Sequence, residues 1–307
     1  MRRAIVTGAL GFLGRHLVRE LQQRGVHVTA LARKPPAEAS YIAMGDAPWC
    51  SSRLAGIIET AEPDIIFHLV GGRVGSSADL EQLNVGVAIA LMHALRDVRM
   101  HPLLVCCGSA AEYGQAITDG VPVCESTTCA PTSSYGATKL AQTYAALAFA
   151  EETGTPVLVT RIFNPIGPGM PAYLALGDFA RQIAIIPESH GVLRTGNIDV
   201  CRDFIDVKHV VGALIALAQN PGARGIVNIC SGRAIALRKL ANLLIDVSAK
   251  NITIETLPDR LRRGEVPVVV GSTARLVKLG GAPPPTNFEE TVARVWREAA
   301  LRWAGSA

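Results

Sequence analysis

The sequence predicts an α/β fold in which a doubly wound parallel sheet is followed by a smaller carboxy-terminal α/β domain. Short apolar runs bounded by Gly, Pro or Asp recur at residues 4–6, 26–31, 65–70, 103–105, 157–162 and 226–229. Helix-period segments separate these runs, and within residues 11–24 Leu13, Leu17 and Leu21 share one face at a spacing of four. Buried strands that alternate with helices are typical of a parallel sheet covered on both faces.

Composition limits the class of protein. A chain of 307 residues with 49% hydrophobic residues can bury a large core, as one α/β unit or two lobes. Its 30 basic and 26 acidic residues give a net charge of +4 without any run of five like charges, which argues against nucleic acid as a partner. The amino terminus has no secretory apolar region, and no stretch is long and apolar enough to predict a membrane span.

Cysteine and histidine usage gives no sign of a metal site. The seven cysteines form no CxxC pair and are too sparse for a disulfide scaffold: Cys50, Cys106, Cys107, Cys124, Cys129, Cys201 and Cys230. His68, His93 and His209 match no zinc spacing and are interpreted as structural. We therefore expect a cytoplasmic protein that holds no metal.

The alternation of strands and helices becomes less regular after Asn164. Residues 165–200 contain several prolines and glycines and are expected to be rich in loops, whereas 230–265 and 285–307 are expected to form helices around a short strand at 252–255. The prediction is a first domain of residues 1–164 with parts of 203–230, and a second of residues 165–202 and 231–307. The second domain would close over the sheet edge where ligands bind in such folds.

A glycine-rich turn, TGALGFLG at residues 7–14, follows the first predicted strand and opens the first predicted helix. Gly8, Gly11 and Gly14 would permit a tight turn, close approach of a pyrophosphate to backbone N–H groups, and close packing of helix on strand. The turn therefore predicts a dinucleotide site, which would also include Phe12 and Leu13.

Basic residues follow the second predicted strand, where an acidic residue would favour NAD. Arg33 and Lys34 stand there, so NADP is expected, with NAD as the alternative cofactor. The same two side chains could instead only solvate a loop. Asp46 could meet the adenine amino group or lie in a surface turn.

A tyrosine and a lysine in YGATK, residues 135–139, would lie one turn apart on a helix. The ammonium of Lys139 would favour the phenolate form of Tyr135 electrostatically, and Lys139 could also hold the nicotinamide ribose. Such a phenol can give its proton to a carbonyl oxygen while hydride arrives from a nicotinamide. Ser109, at a predicted strand end, could hydrogen-bond the same oxygen.

Several motifs along the chain resemble one family: TGALGFLG, DIIFHLVGG at 64–72, NVGV at 84–87, GSAAEYG at 108–114, YGATK, RIFNPIGPG at 161–169 and RDFIDVKHV at 202–210. Together they are similar to the nucleotide-sugar branch of the extended short-chain dehydrogenase/reductase superfamily, the NAD-dependent epimerase/dehydratase family. The resemblance implies a Rossmann domain, a small substrate domain and a homodimer formed by two helices of each subunit. It implies Tyr135 as the acid, with Lys139 and Ser109, and cofactor contacts at Ala47, Leu69, Val70, Gly71 and Ile162.

Two alanines narrow the reaction that the resemblance implies. Sugar 4,6-dehydratases of this superfamily carry an Asp-Glu pair at the positions of Ala110 and Ala111, and a methyl group cannot transfer a proton. The epimerase-reductases that make GDP-fucose use a cysteine at Ala111 and a histidine shortly after the position of Asn164, where this chain has none. A C4 epimerase would be expected to keep an acidic residue at Ala32, so simple reduction with NADPH is favoured.

The carboxy-terminal motifs resemble those of GDP-4-keto-6-deoxy-D-mannose reductases, which produce GDP-D-rhamnose. The resemblance implies that Asn164 touches the diphosphate or nucleotide, Arg202 a phosphate, and Arg260 and Arg262 the nucleotide. Arg73, Ser109 and Ala110 would face the sugar. Other readings stay open: a dTDP-, UDP- or CDP-linked ketosugar, the talose epimer, a C4 epimerase, a lipid, sterol or aldehyde carbonyl, or a cofactor sensor without catalysis.

Overall fold

The structure, a computed structural model, describes residues 1–36, 41–187, 190–261, 264–281 and 285–303. Its strands are β1 Arg3–Thr7, β2 His27–Ala32, β3 Tyr41–Ala43, β4 Ile65–His68, β5 Leu103–Ser109, β6 Val157–Ile162, β7 Asn164–Ile166, β8 Gly191–Thr195, β9 Cys201–Asp206, β10 Gly225–Ile229, β11 Ala234–Ala236, β12 Ile252–Thr256 and β13 Val268–Val269. Its helices are α1 Phe12–Gln23, α2 Ser51–Ala61, α3 Ser77–Glu81, α4 Val87–Val98, α5 Ser134–Thr153, α6 Ala175–Ile185, α7 Val207–Gln219, α8 Leu237–Ser248, α9 Ala274–Lys278 and α10 Phe288–Trp303.

A seven-stranded sheet forms the centre of the molecule, in the order β10-β6-β5-β4-β1-β2-β3. All of its strand pairs are parallel, and every residue of β4, β5 and β6 is buried, as the continuous apolar runs require. The direction of winding reverses between β1 and β4, where open α/β sheets bind their ligands beyond the carboxyl ends of the strands. The predicted doubly wound parallel sheet is confirmed.

Helices cover both faces of this sheet. On one face α1 and α7 contribute Leu17, Leu21 and Leu214 to a core with the inward side chains of the strands. On the other face α2, α4 and α5 contribute a second core that includes Leu91 and Phe149. The apolar stripe of the first helix lies where its spacing of four predicts, because residues i and i+4 share one helix face.

The carboxy-terminal segments build a separate hydrophobic cluster. Helices α6, α8 and α10 pack on one another, with Phe179, Leu240 and Val292 buried between them. Strand β9 pairs with β7, β11 and β13, and β12 pairs with β8. The strand predicted at 252–255 is present as β12. The predicted domain boundaries stay a prediction. Two elements of the 203–230 segment lie with the large sheet, because β10 joins that sheet and α7 packs on α1.

The expectation of a loop-rich segment at 165–200 is wrong. Three prolines and two glycines occupy its first seven positions, but α6 and β8 follow. The buried face of α6, including Phe179 and Ile183, packs against α8 and α10, which come more than fifty residues later. Partners so distant in sequence leave no local signal.

None of the described helices has the length and apolar composition that crossing a membrane requires.

Candidate active site

The glycine-rich turn connects β1 to α1 as its sequence predicts. Gly8 adopts a φ of +67°, a conformation that side chains other than glycine rarely accept. The N–H of Gly11 donates to the carbonyl oxygen of Gly8 over 2.9 Å, which closes the turn before the helix begins at Phe12. The amino-terminal N–H groups of α1 therefore point out of the sheet edge, where an anion is favoured.

Close packing explains why the outer glycines of this turn carry no side chain. A Cβ atom at Gly14 would lie 2.1 Å from the carbonyl oxygen of Gly8, and one at Gly8 would lie 2.8 Å from the carbonyl carbon of Leu69. The β1 turn and the chain leaving β4 thus touch backbone to backbone. This cradle, open at a helix amino terminus, fits the pyrophosphate of a dinucleotide.

Ser109 is the last residue of β5 and is 9% exposed. Its hydroxyl oxygen accepts a hydrogen bond of 3.2 Å from the N–H of Ala111, so the serine caps a short 3₁₀ turn at Ala110–Glu112. Ala110 and Ala111 are both half-buried, whereas Glu112 is fully buried. The turn thus brings the Ser109 hydroxyl and the methyl groups of Ala110 and Ala111 to the sheet edge, and it directs the Glu112 carboxylate into the core.

Tyr135 and Lys139 lie on the first turns of α5, which starts beside the Ser109 turn. Ser133 caps the helix by accepting from the N–H of Gly136 over 3.1 Å. A Cβ atom at Gly136 would lie 2.5 Å from the carbonyl oxygen of Ala111, so the helix next to the tyrosine touches the turn after β5. Lys139 is 4% exposed and donates to Gln142, while Tyr135 is half-exposed.

The loop that follows β4 completes this edge of the site. Asn84 is fully buried; its oxygen accepts from the N–H of Gly72 over 2.8 Å, and its amide donates to the carbonyl of Gly72 and to the Thr138 hydroxyl on α5. A Cβ atom at Gly71 would lie 3.8 Å from Nζ of Lys139. The loop is therefore tied to the helix that carries the tyrosine and the lysine.

Arg73, which extends this loop, lies over the phenol. Its guanidinium carbon is 5.3 Å from the centroid of the Tyr135 ring, within the range of a cation–π interaction. No described carboxylate lies within 4.0 Å of Arg73. Tyr173 is 57% exposed in the same region; desolvation raises its pKa, Tyr135 adds to the rise and Arg73 opposes it. The cation and the two phenols thus share one cleft.

Tyr113, the first tyrosine after Ser109, has a structural role. Tyr113 is fully buried, and its hydroxyl donates to Asn228 over 2.6 Å. Burial raises the pKa of Tyr113 to about 12, so this phenol keeps its proton. Of the two tyrosines that follow Ser109 in the sequence, Tyr135 and not Tyr113 is therefore the one exposed at the cleft.

Arg33, Lys34 and Asp46 come together beyond the end of β2. Nε of Arg33 lies 3.5 Å and Nζ of Lys34 lies 3.3 Å from the Asp46 carboxylate, and all three side chains are more than half exposed. The group keeps one positive charge in excess, at the place where an adenosine ribose would end. The neighbouring Ala47 is half-buried and packs against the core that contains α2.

The other residues predicted along the cofactor lie at the same sheet edge with their side chains turned inward. Phe12 packs on the carboxy-terminal cluster, Leu13 and Leu69 on the core containing α1, and Val70 on the opposite core. Ile162 at the end of β6 is 7% exposed.

Residues predicted to face the substrate are more dispersed. Asn164 donates to the carbonyl of Asp203 over 3.0 Å. Arg202 is ion-paired with Glu265 at 2.8 Å and donates to nearby carbonyls, whereas Arg260 lies 3.7 Å from Asp178. Each arginine thus has an acidic partner, and Arg260 shares Asp178 with Arg181, which lies 2.7 Å from that carboxylate. Arg262 lies outside the described residues.

Three residues of this region were not selected from the sequence. Asn84 belongs to the NVGV motif, which by itself gives the asparagine no role. Glu112 directly follows the two alanines, and Tyr173 belongs to the segment expected to be loop. Only Asn84 and Glu112 had a local signal, because each is a polar residue within a motif that was already singled out.

Comparison with known proteins places this geometry in a family. The model of the NAD dependent epimerase/dehydratase family matches residues 4–230. The chain is 29% identical to the GDP-6-deoxy-D-mannose reductase of Pseudomonas aeruginosa over 95% of both chains. It is 30% identical to the dTDP-6-deoxy-L-talose 4-dehydrogenase (NAD(P)(+)) of Kitasatospora kifunensis over 83% of this chain and 82% of that one.

A solved structure gives the same result. The structure of RMD from Pseudomonas aeruginosa complexed with NADPH superposes with a TM-score of 0.82 at 28% identity, covering 98% of this chain and 100% of that one. The glycine turn, the strand-end serine and the tyrosine–lysine pair all fall within the matched residues 4–230. The chain is therefore an enzyme of the NAD dependent epimerase/dehydratase family, as its motifs predicted.

Proposed function

We propose that this protein reduces the 4-keto group of a nucleotide-linked 6-deoxy sugar with NADPH, and that its substrate is GDP-4-keto-6-deoxy-D-mannose, giving GDP-D-rhamnose. The observation that carries the proposal is the contact between the turn after Ser109 and the start of the helix that bears Tyr135 and Lys139, at a turn whose two alanines cannot take part in elimination. The similar GDP-6-deoxy-D-mannose reductase supports the choice of sugar nucleotide.

In the proposed reaction the protein donates one proton to the ketone oxygen and holds that oxygen by hydrogen bonding. When bound, NADPH supplies the hydride. The Tyr135 hydroxyl donates its proton to the ketone oxygen, and the Ser109 hydroxyl, free to rotate its own hydrogen away from Ala111, hydrogen-bonds the same oxygen. The buried Lys139 ammonium stabilises the negative charge left on the phenol.

NADPH is the proposed cofactor because Arg33 and Lys34 stand beyond β2 without an acidic residue at the strand end. Ala32 occupies that end and is 2% exposed. A guanidinium and an ammonium suit a ribose phosphate. The Pseudomonas structure with NADPH agrees with this choice, and NAD stays the alternative.

The direct test mixes the purified protein with NADPH and GDP-4-keto-6-deoxy-D-mannose and follows the absorbance of the reduced cofactor. We expect a substrate-dependent decrease, and loss of about 10²- to 10⁴-fold in kcat for Tyr135→Phe with NADPH binding retained. Product sugar analysis separates the rhamnose from the talose configuration. Absence of turnover with every nucleotide ketosugar of a GDP, dTDP, UDP and CDP panel would reject the proposal.

A dTDP-linked substrate is the second candidate. The favouring observation is the 30% identity to the dTDP-6-deoxy-L-talose 4-dehydrogenase, which equals the identity to the GDP-sugar enzyme within one percentage point. Arg202 and Arg260 are proposed to approach the nucleotide diphosphate, and both would have to exchange their present acidic partners for it. The same panel decides between the two bases.

A homodimer through α4 and α5 is also proposed. Ile89 on α4 and Tyr144 on α5 are large apolar side chains that stay 37% and 58% exposed, and the two helices pack side by side. Sedimentation velocity of the protein and of Tyr144→Arg tests this arrangement, which predicts a dimer that the substitution dissociates. The cytoplasmic location predicted from the cysteines stays a prediction.

A further inference from the structure

A buried carboxylate lies directly behind the proposed active site. Glu112 is 0% exposed, and its two oxygens accept three hydrogen bonds from three different elements. Oε1 accepts from the N–H of Ser109 over 2.7 Å. Oε2 accepts from the Thr143 hydroxyl over 2.9 Å and from Nε of Arg161 over 2.8 Å. These four residues are called the Glu112 network.

The network joins the serine to the helix that carries the other two reacting groups. Thr143 lies on α5 four residues after Lys139 and eight after Tyr135, so the three side chains follow one helix face. Ser109 lies on β5, and Arg161 lies on the adjacent β6, paired with Gly108. One carboxylate therefore links the end of β5 to the middle of α5, two turns beyond Tyr135.

Stability alone gives a weak reason for this arrangement. Removing two charges from water costs several kcal/mol for each ion, and apolar side chains of similar volume often replace a buried ion pair without loss. The pairing here is also incomplete, because Nη1 of Arg161 has no hydrogen-bond partner among the described residues. The Arg161 guanidinium instead stacks on the ring of Tyr113, with its carbon 4.6 Å from the centroid.

We propose that Glu112 is a positioning residue for catalysis, which holds Ser109 at the separation from Tyr135 at which both hydroxyls meet one carbonyl oxygen. Glu112 does not touch the substrate and transfers no proton. It acts through the backbone of Ser109 on one side and through Thr143 on the other. This inference rests on the proposed ketone reduction, in which the two hydroxyls meet on the carbonyl oxygen that is reduced.

The test uses Thr143 because removal of Glu112 would leave Arg161 buried without a counter-charge and endanger folding. Thr143→Val keeps the side-chain shape and the ion pair but breaks the link to α5, and Thr143→Ser keeps the hydroxyl. We expect kcat of the valine variant to fall roughly 10- to 100-fold, since small misplacements of reacting groups have effects of that size. KM and NADPH affinity should change less than about twofold, and the serine variant should restore kcat.

The matched control is Thr155→Val. Thr155 is also buried, just beyond the end of α5, and its hydroxyl oxygen bonds to His101 and Thr153, far from the network. This variant should lose similar stability in urea unfolding and keep the parental kcat. Equal kcat values for Thr143→Val and Thr155→Val would overturn the proposal.

A second measurement does not depend on turnover. The Ser109 N–H is held by Glu112, so its hydrogen exchange should be at least about tenfold faster in Thr143→Val than in the parent or in Thr155→Val. Unchanged exchange would overturn the positioning role. If the parent reduced no ketosugar but exchange accelerated as expected, the proposed function would fail while the link from Glu112 to Ser109 and α5 would stand.

Discussion

His68 makes a quantitative prediction about stability in acid. The residue ends β4 beside the glycine-rich turn; its side chain is fully buried, and Nδ1 lies 3.0 Å from the Thr7 hydroxyl. Nε2 has no hydrogen-bond partner among the described residues. Burial, assisted by the positive charge of Lys139, lowers the pKa of His68 from 6.5 to about 3. The folded protein therefore holds this imidazole neutral at any pH near neutrality.

The sign of the effect follows from proton binding. An unfolded histidine takes up a proton near pH 6.5, and the folded one does so only near pH 3, so stability is complete above pH 6.5 and is lost as the pH falls toward 3. At about pH 5 the unfolded state gains about 2 kcal/mol relative to neutral pH from this residue alone. A folded pKa one unit higher would hardly change that figure, because pH 5 would still lie above it.

Urea unfolding of the parent and of His68→Asn, at about pH 7.5 and about pH 5, measures the effect. Asparagine can still meet the Thr7 hydroxyl and does not titrate, so the loss of stability in acid should shrink by about 2 kcal/mol. His16 and His209, whose pKa values burial also lowers, contribute equally to both proteins. His93→Asn, on the exposed face of α4, should leave the loss as in the parent. The same acid loss in His68→Asn as in the parent would refute a buried neutral imidazole.

Three further predictions concern ligands. Gly14→Ala places a methyl group 2.1 Å from the Gly8 carbonyl oxygen and should weaken NADPH binding at least about tenfold in a calorimetric titration. Gly56→Ala is the control, because Gly56 lies in α2 with open space around it; this variant should bind NADPH normally and unfold at a slightly higher urea concentration. Arg33→Ser should reduce the preference for NADPH over NADH by roughly 10- to 100-fold in kcat/KM, since hydrogen bonds to charged groups contribute about 1.5–3 kcal/mol. An unchanged ratio would show that Arg33 does not contact the ribose phosphate. Arg73→Gln should lower kcat/KM for the ketosugar roughly tenfold with NADPH affinity unchanged, because its guanidinium lies over the Tyr135 ring. An equal loss of NADPH affinity would contradict that placement.

The central sheet could be predicted because its signals are local. Six apolar runs marked the six longest strands of the large sheet, and the pattern of glycines after β1 placed the start of α1 within one residue. The predicted tyrosine–lysine helix begins at Ser134, one residue before Tyr135. Each of these features is encoded in fewer than about twenty consecutive residues, within which periodicity and capping decide the structure.

The carboxy-terminal part could not be predicted as well, because its elements are stabilised by distant partners. Strand β9 carries Asp203 and Asp206, two fully or nearly buried carboxylates that look like loop residues in a sequence. Asp203 accepts from the N–H groups of Ser231, Gly232 and Gly271, which belong to turns at least 28 residues away. A sequence window shows the acid but not the donors that permit its burial.

The stretch after β5 shows why residue type alone is insufficient at the site itself. A carboxylate stands in GSAAEYG, one position beyond the place where the dehydratases of this superfamily carry theirs, and a search by composition would accept it as an acid or base. The 3₁₀ turn separates the two positions: Ala111 is half-buried at the cleft, and Glu112 points into the core, where Ser109, Thr143 and Arg161 occupy its oxygens. A shift of one residue thus converts a proton-transferring group into one that can only hold its neighbours. Moving the acid back, as in Ala111→Glu, should consequently add no dehydration of a GDP-hexose, because an acid and a base are both required and Ala110 would still be a methyl group.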